Sequence, residues 1–338
     1  MAKHRITLFE GDGIGPEITK AVKDVFKALN VDIEYEEYLI GQRAYEKYGT
    51  LIPEDAIASI KRNKVALKAP VTTPIGKGFR SVNVELRLLF DLYVNLRPAL
   101  SLPHTKSKYE NIDIITFREN TEDLYIGEEH PIDDGFEAIK RITKTKSERI
   151  IRYAFEYAIK NKRHKLTCVH KANILKKSDG LFLETFNRLK EEYPSIEAND
   201  KIVDNMCMQL VMNPKEFDCL VAPNLYGDII TDLIAGLIGG LGVAPAANIG
   251  KDVAIFEAVH GSAPDIAGQN IANPTALLLS ASMMLIHLNE IEKAKILQDA
   301  ITKVLLEGKV LTKDLGGSSS TNEFTDAIIN AIKTDAIN

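Results

Sequence analysis

Two aspartates one helical turn apart form the clearest pattern of chemically useful side chains in the sequence. Asp228 and Asp232 lie in the run 224–232, directly after an apolar segment, Phe217 to Val221, that is typical of a strand. If a helix begins near Gly227, the two carboxylates lie one above the other on a single face, where like charges repel. A hard divalent cation such as Mg²⁺ or Mn²⁺ prefers such oxygen ligands and would offset the repulsion. Taken alone, the pair is also typical of a solvated helix face.

A second group of polar residues suits the binding of a carboxylate. If a helix starts near Ser81, Asn83 and Arg87 share one face of it, and Ser81 lies at the N-terminal end, where free N–H groups attract an anion. Arg97 ends a strand-like run just before Pro98, so its side chain could reach over the edge of a sheet. The alternative is a serine that caps the helix and two surface arginines.

Further polar residues follow apolar, strand-like runs. Arg118 stands at the end of one run and could bind a carboxylate through two parallel hydrogen bonds. Tyr125, in the polar turn that follows, could donate a proton if nearby cations lower its pKa. Lys171 and Asn173 follow another run, and a lysine beside other cations and a metal can lose its proton and act as a base. Asp204, in a helix-like stretch, adds a third carboxylate.

The segment from His260 to Gly268 has the composition of a nucleotide-binding loop. Its first residues would let backbone N–H groups cradle a nucleotide. Asp265 would accept hydrogen bonds from a ribose diol and repel a 2′-phosphate. As an isolated motif, the segment could equally be a tight structural turn.

The elements that must position these residues alternate between strand and helix. Strands are predicted at Ile6–Glu10, Val31–Tyr38 and Val65–Ala69, and helices after the turn 11–16 as far as Leu29 and over Glu54–Lys61. This alternation predicts an α/β architecture, with a parallel sheet covered by helices. The turn has the pattern GxGxG where a dinucleotide-binding fingerprint needs GxGxxG, and no acidic residue ends a second strand about 20 residues later, so a Rossmann fold is not predicted.

Composition bounds the classes of partner and compartment. The 338-residue chain has 45% hydrophobic and 26% charged residues, which is ordinary for a soluble globular protein of one large domain or two. Its net charge of −5 gives no reason to expect nucleic acid or an anionic membrane, so an anionic ligand must be bound by locally gathered cations. Three cysteines without a CxxC spacing predict reduced thiols. Because no export signal is visible and the segment Thr275–Leu288 is too short to span a bilayer, we expect a cytoplasmic protein.

Taken together, these motifs resemble those of the β-decarboxylating dehydrogenases, the isocitrate and 3-isopropylmalate dehydrogenase family. The resemblance extends from Gly11 to Gly317, with the motifs in family order. The runs 224–232 and 260–268 are its most specific parts.

The resemblance implies a fold other than the Rossmann arrangement, with a large and a small α/β domain around a cleft. The large domain is expected to comprise residues 1–98 and 251–338 and to carry the NAD-binding loops. The small domain, residues 99–250, is expected to carry the dimer interface and the metal-binding and catalytic residues.

The resemblance also implies a role for each matching residue. Tyr125 corresponds to the proton donor and Lys171 to the catalytic lysine, which the partner subunit of an obligate homodimer supplies. Asp228 and Asp232 correspond to the ligands of Mg²⁺ or Mn²⁺ from one subunit, and Asp204 to the ligand from the other. The expected substrate-binding residues are Thr72, Ser81, Asn83, Arg87, Arg97 and Arg118, and the expected cofactor-binding residues are Asn173, His260, Gly261, Ser262, Ala263, Pro264, Asp265, Ile266 and Asn273.

Within the family, two residue pairs favour the NAD-dependent oxidative decarboxylation of isocitrate to 2-oxoglutarate and CO₂. Relatives that use NADP generally have Lys-Tyr where this chain has Asp265 and Ile266, so NAD is expected. Isopropylmalate relatives have apolar residues at the positions of Ser81 and Asn83, whereas polar residues there suit the γ-carboxylate of isocitrate. A homoisocitrate or 3-isopropylmalate dehydrogenase is the alternative within the family, and a non-catalytic regulatory subunit is the alternative from another class. The expected partners are a small tricarboxylate and a second copy of the chain, without nucleic acid or membrane.

Overall fold

The computed structural model of the chain describes residues 2–72 and 80–335. Its strands are β1 (His4–Phe9), β2 (Ile33–Tyr38), β3 (Val65–Lys68), β4 (Val94–Leu100), β5 (Asp113–Glu119), β6 (Glu129–Ile132), β7 (Gly135–Ala138), β8 (Lys165–His170), β9 (Glu197–Ile202), β10 (Cys219–Ala222), β11 (Pro245–Ile249) and β12 (Ala254–Ala258). Its α-helices are α1 (Gly15–Ala28), α2 (Gln42–Tyr48), α3 (Glu54–Asn63), α4 (Val82–Leu89), α5 (Lys144–Lys160), α6 (Ser178–Leu189), α7 (Val203–Met212), α8 (Asn224–Leu237), α9 (Thr275–His287), α10 (Ile291–Glu307) and α11 (Thr321–Asp335). Short 3₁₀ turns occupy Asp123–Ile126, Lys190–Glu192, Pro214–Glu216, Leu241–Val243, Pro264–Ile266 and Lys313–Leu315.

Ten strands form one mixed sheet in the order β2-β1-β3-β12-β11-β4-β5-β10-β8-β9, which is not the Rossmann order. Most neighbours are parallel, but β11 runs antiparallel to β12 and β4, and β4 runs antiparallel to β5. The α/β prediction is confirmed, whereas the prediction of a parallel sheet is wrong at the centre. The physical reason is the short connection between β11 and β12, residues 250–253, because parallel strands need a crossover of about a dozen residues or more.

Helices cover both faces of this sheet. Side chains alternate along β12, so that Phe256 belongs to the larger core cluster and Ile255 to a second cluster on the opposite face. Helix α9 packs on β11 and β12, α5 packs on β5 and β10, and α8 packs on β5. Within the part of the chain that the structure describes, no helix is long and apolar enough to cross a membrane.

The predicted glycine turn before α1 is present and is bound to a distant loop. A Cβ at Gly13, whose φ is 57°, would lie 1.9 Å from the carbonyl oxygen of Ser262, so this close approach requires glycine. The N–H of Ile14 donates to the same carbonyl at 2.9 Å. The start of α1, with Pro16 in its first turn, is thereby fixed beside the expected nucleotide-binding loop.

Two elements carry too weak a pattern to be predicted from the sequence. Helix α2 buries Ala44 alone, so it has no apolar stripe. The hairpin of β6 and β7 is exposed along both strands, so it lacks the alternation of buried and exposed residues that marks a strand.

The predicted domain boundaries lie close to the centre of the sheet. Position 98 falls inside β4, and position 250 directly follows β11. In the sheet, β11 lies between β12 and β4, so the two predicted domains share one sheet. The division into two domains stays a prediction.

Candidate active site

Helix α8 carries the two aspartates of the 224–232 run. It starts at Asn224, three residues earlier than predicted, and the side chains of Asp228 and Asp232 are 39% and 58% exposed. The guanidinium of Arg97 contacts both, with N–O distances of 3.6 Å to Asp228 and 3.4 Å to Asp232. A cation of the chain itself therefore offsets the like-charge repulsion at this spacing.

Arg118 and Tyr125 converge on the same carboxylate. Arg118, near the end of β5, has only 1% of its side chain exposed, and its Nη1 donates to Oδ1 of Asp228. Tyr125, in the 3₁₀ turn Asp123–Ile126, donates its hydroxyl to Oδ2 of Asp228 at 2.5 Å. The guanidinium of Arg118 also lies 4.9 Å from the centroid of the Tyr125 ring. The strand end and the turn thus bring both predicted residues to α8.

Two residues of α8 for which the sequence predicted no role hold Arg118 in place. Asn224 accepts a hydrogen bond from Nε of Arg118 at 2.9 Å and donates to the carbonyl of Glu122 at 3.1 Å. A Cβ at Gly227 would lie 2.5 Å from Cγ of Arg118, so glycine is needed there for close packing. Their place in the 224–232 run is the signal that could have identified them.

Arg97 does not end its strand, contrary to the prediction. Strand β4 continues to Leu100, and Pro98 pairs with Ile115 of β5. Pairing of β4 with β11 covers residues 94–96, so the missing N–H of Pro98 need not interrupt the pairing on that side. Arg97 therefore reaches Asp228 from within the sheet.

Three arginines lie almost fully buried in this site. The side chains of Arg87, Arg97 and Arg118 are 9%, 11% and 1% exposed. Among the described residues, Nε of Arg87, Nε of Arg97 and Nη2 of Arg118 are buried without a hydrogen-bond partner. Burial, followed by the charge of Arg118, lowers the pKa of Arg87 and of Arg97 to about 10. Crowded cations with unused donors suit a ligand that carries several carboxylates.

Helix α4 leaves further polar groups available near Arg87. Ser81 occupies the N-cap position without making a capping hydrogen bond to the described residues, so the alternative of a capping serine is not observed. Oδ1 of Asn83 is buried, and no described residue donates to it. The hydroxyl of Thr72 instead forms a hydrogen bond with that of Ser262 at 2.7 Å, which joins an expected substrate residue to an expected cofactor residue.

The carboxyl of Asp228 and the phenol of Tyr125 have opposite pKa shifts. Burial alone would raise the pKa of Asp228, but Arg118, the Tyr125 hydroxyl and Arg97 together hold it below its ordinary value. The pKa of Tyr125 is raised, mainly by burial, which Arg118 opposes and the hydrogen bond to Asp228 reinforces. The expectation that cations lower the pKa of Tyr125 is therefore wrong, because burial outweighs them. This phenol keeps its proton at neutral pH.

Lys171 and Asp204 pair with each other. Lys171 follows β8, and its Nζ donates to Oδ1 of Asp204 in the first turn of α7. This contact lowers the pKa of Asp204. The described residues contain no cluster of three or more His, Cys, Asp or Glu side chains that could hold a metal, so the three predicted ligands do not meet within one chain. Asp228, which is partly buried, and Asp232, which is exposed, lie one turn apart and could supply part of the oxygen ligand set of a hard divalent cation.

A buried ion pair beside Arg87 was not predicted. The side chains of Lys68 and Glu257 are 3% and 7% exposed, and their charged atoms are 2.6 Å apart. Asn248 donates to Glu257 at 2.6 Å, and Nη2 of Arg87 lies 3.8 Å from the same carboxylate. Burial alone would raise the pKa of Glu257, but Lys68 and then Arg87 lower it to about 2. A lysine at the end of the apolar run 65–68 was the available signal.

The expected nucleotide-binding loop borders a cleft of about 640 Å³, lined by Ile14, Gly242, His260, Gly261, Ala263, Ile266, Ile271, Ala272, Asn273, Lys313 and Asp314. Asn273 donates to Asp314 at 2.9 Å and is held at the wall of the cleft. Burial lowers the pKa of His260, which keeps its imidazole neutral. Apolar walls with a few polar groups suit a nucleotide base, so these residues fit part of NAD.

The other expected cofactor residues lie outside this lining. Ser262 contacts Thr72, and Pro264 and Asp265 are exposed on the 3₁₀ turn that begins at Pro264. Asn173 is exposed in the turn after β8. The exposure of Asp265 weakens its repulsion of a 2′-phosphate, because water and salt screen the charge.

Several known proteins are similar along most of this chain. One mitochondrial regulatory subunit of NAD isocitrate dehydrogenase, from Dictyostelium discoideum, is 51% identical, over 99% of this chain and 93% of that protein. The mitochondrial catalytic subunit 5 from Arabidopsis thaliana is 53% identical, over 95% and 87%. The chloroplastic 3-isopropylmalate dehydrogenase of Solanum tuberosum is 52% identical, over 90% and 86%. The crystal structure of isocitrate dehydrogenase from Methylococcus capsulatus matches with a TM-score of 0.94 and 48% identity, over 98% of this chain and 99% of that one.

These relatives contradict the prediction of a cytoplasmic location. The isocitrate dehydrogenase subunits among them are mitochondrial by name. The prediction was wrong because it was based on the lack of a visible export signal and on an apolar segment too short to span a bilayer, and neither feature identifies a compartment.

The structural similarity confirms the predicted fold class. The model of the isocitrate/isopropylmalate dehydrogenase family matches residues 5–328. The chain therefore belongs to the isocitrate/isopropylmalate dehydrogenase family.

Proposed function

We propose that the protein oxidises and decarboxylates isocitrate to 2-oxoglutarate and CO₂ with NAD as hydride acceptor. The observation that carries this proposal is a set of three buried arginines whose N–H donors include some without a partner among the described residues. A tricarboxylate supplies the anions that these donors need, within a chain whose net charge is −5. Relatives named as NAD isocitrate dehydrogenase subunits support the same substrate and cofactor.

The choice of isocitrate rests on the start of α4. Among the described residues, Ser81 makes no capping hydrogen bond, and the side chain of Asn83 lies in the first turn of the same helix. A γ-carboxylate there gains hydrogen bonds from the Ser81 hydroxyl, the Asn83 amide N–H and the first N–H groups of the helix. An isopropyl group would leave these groups unpaired, at a cost of about 1–3 kcal/mol each.

Two side chains of the protein would each transfer a proton, at different atoms of the substrate. Lys171 would take the proton of the substrate hydroxyl as hydride leaves the same carbon for NAD. Tyr125, whose raised pKa keeps it protonated, would deliver a proton to the carbon from which CO₂ departs. Asp228 and Asp232, with Asp204 of the partner subunit, would hold Mg²⁺ or Mn²⁺, which supplies Lewis-acid stabilisation of the developing negative charge on the substrate oxygen.

We further propose that two copies of the chain share each active site. Lys171 and Asp204 contact each other, and among the described residues Asp204 forms no cluster with Asp228 and Asp232, so one chain alone would lack the complete ligand set. Relatives named as subunits are consistent with an assembly. A Lys171→Met variant and an Asp228→Asn variant should each be nearly inactive, and mixing them should produce hybrid dimers with one intact site. Formation of hybrids without any return of activity would overturn the sharing.

The central test is a substrate panel with the purified protein, NAD and Mg²⁺ or Mn²⁺. The kcat/KM for isocitrate should be about a thousandfold higher than that for 3-isopropylmalate, because an isopropyl group would leave the polar groups of Ser81 and Asn83 unpaired. The Ser81→Leu, Asn83→Leu variant should reduce isocitrate turnover far more than NAD binding. Equal turnover of both substrates would refute the assignment, and homoisocitrate, which is longer by one methylene, is the closest competitor.

Two relatives favour specific alternatives. The 52% identity to a 3-isopropylmalate dehydrogenase keeps that substrate in the panel. The 51% identity to a regulatory subunit favours a non-catalytic role, which predicts no turnover by the protein alone although substrate still binds. A non-catalytic role is disfavoured, because the chain has Tyr125, Lys171 and the three arginines that catalysis would require.

A further inference from the structure

A buried charge network outside the proposed catalytic groups joins three elements of the site. Lys140 lies between β7 and α5, and only 13% of its side chain is exposed. Its Nζ is 2.5 Å from Oδ1 of Asp179 and 3.8 Å from Oδ1 of Asp123, and both carboxylates are fully buried. The same Nζ lies 4.2 Å from the centroid of the Tyr226 ring in α8. One cation therefore contacts α6, the 3₁₀ turn that contains Tyr125, and α8.

Asp179 fixes the backbone of the proposed base. Its Oδ2 accepts a hydrogen bond from the N–H of Lys171 at 2.7 Å, while Oδ1 faces Lys140. A shift of Asp179 would therefore move the turn from which the Lys171 side chain extends.

Asp123 fixes the proposed proton donor and the start of α8. Its Oδ2 accepts from the N–H of Leu225 at 2.9 Å, and its Oδ1 accepts from the N–H of Leu124 at 2.9 Å. Its φ of 71° is in the left-handed region, which a non-glycine residue seldom adopts without such side-chain contacts. Tyr125 follows two residues later, and Asp228 three residues after Leu225.

We propose that Lys140 is a positioning residue that sets the spacing between the Lys171 turn, the Tyr125 turn and the N-terminus of α8. This inference rests on the proposed function, in which Lys171 accepts a proton and Tyr125 donates one. Lys140 acts through Asp123 and Asp179. Because Lys171 would serve the partner's site and Tyr125 its own, Lys140 also ties together the contributions that one subunit makes to two active sites.

The physical reason for this role is the free-energy cost of leaving two buried carboxylates without the cation that neutralises them. Burial raises the pKa of Asp123, and Lys140 is the largest influence that opposes it. Without Lys140, both carboxylates would be buried without a cation, and their contacts with backbone N–H groups would change. A displacement of about 1 Å in a catalytic group can lower turnover by about a hundredfold.

The test compares Lys140→Met with Lys140→Arg and with a matched control, Arg163→Met. The Arg163 side chain is 14% exposed and pairs with Asp218 at 2.5 Å and Asp113 at 2.8 Å, so it too joins two carboxylates, although more exposed ones, and contacts none of the proposed groups. In Lys140→Met, kcat per folded active site should fall about a hundredfold, while the KM for isocitrate changes by less than about threefold. Lys140→Arg should recover most of kcat, and Arg163→Met should keep it.

The readouts separate positioning from stability. Rates are measured well below each melting temperature and divided by the number of isocitrate-binding sites titrated in the same sample. If Lys140→Met does not fold, the Lys140→Met, Asp179→Asn variant removes one buried charge of each sign and should show the same loss of kcat. A kcat per site within about threefold of wild type in the folded variant, or an equal loss in Arg163→Met, would overturn the proposal. An inactive wild type would contradict the proposed function instead, and the variants would then be compared on the substrate that the panel identifies.

Discussion

Substitution of Gly227 by alanine tests whether close packing against α8 holds Arg118 in its working position. The Cβ of alanine would lie 2.5 Å from Cγ and 2.7 Å from Cβ of Arg118. Arg118 cannot easily move aside, because it is fully buried and its Nε and Nη1 are bonded to Asn224 and Asp228. We therefore expect Gly227→Ala to displace the guanidinium.

Two opposing contributions determine the size of the effect. Alanine is better than glycine in a helix by about 0.8–1.0 kcal/mol, whereas overpacking a buried site costs about 1–3 kcal/mol. The free energy of unfolding should therefore fall by about 0–2 kcal/mol. A displaced Arg118 would also lose a charge-assisted hydrogen bond to substrate, worth about 1.5–3 kcal/mol, which is about a 10- to 100-fold loss in kcat/KM.

Gly236→Ala provides the control in the same helix. A Cβ there meets no heavy atom within 4 Å, so helix propensity alone should raise the free energy of unfolding, by about 0.5–1 kcal/mol, without a change in kcat/KM. Urea unfolding and steady-state kinetics with isocitrate measure both quantities. If Gly227→Ala behaves like Gly236→Ala in both assays, the packing explanation of Arg118 is refuted.

Three further predictions concern the cation, the cofactor and acid stability. Chelation should abolish turnover and Mg²⁺ or Mn²⁺ should restore it, because Asp228 and Asp232 would hold the cation; full activity in a chelated enzyme would exclude this. NAD should be preferred to NADP by at least about tenfold in kcat/KM, because Asp265 repels a 2′-phosphate through screened charge; Asp265→Lys should narrow the ratio, and an unchanged ratio would remove that residue from the explanation. The pKa of Glu257 is lowered from 4.5 to about 2, so its stabilisation is present above about pH 4.5 and lost as pH falls towards 2. Lys68→Met should lower the free energy of unfolding at pH 7 by about 3–5 kcal/mol and move the acid-unfolding midpoint to higher pH, and a midpoint at the wild-type pH would contradict the pairing.

The first three strands of the chain could be predicted from the sequence, because each of them carries its own local pattern. Alternating apolar runs and helix signals located β1, β2 and β3 to within about two residues. The antiparallel pairing of β4 with β11 could not be predicted, because these two segments lie far apart in the sequence. The same limit explains Pro98, which marked a strand end locally but lies inside β4 once β5 is beside it.

The residue types of the candidate site could be predicted from the sequence, but the contacts between these residues could not. Arg118, Tyr125 and Asp228 stand out in the sequence, yet their mutual contact joins β5, a 3₁₀ turn and α8 across about a hundred residues of chain. The raised pKa of Tyr125 could not be foreseen either, because it depends on burial, which the pattern of a polar turn does not reveal. The ion pair of Lys68 was not predicted, because its partner, Glu257, lies far away in the sequence.

Binding of a ligand at this site would replace ion pairs within the chain by contacts with the ligand. In the chain alone, Asp228 is the acceptor for Arg118 and Tyr125 and the neighbour of Arg97, so it neutralises the arginines that a tricarboxylate would need. Under the proposed function, a substrate carboxylate would compete with Asp228 for these donors, and the donors would be released if Asp228 bound a cation instead. Binding of cation and of tricarboxylate should therefore strengthen each other, by the reciprocity that links any two ligands of one protein. Among the described residues, the buried N–H donors of the three arginines that lack partners are consistent with this, because a bound carboxylate would accept their hydrogen bonds.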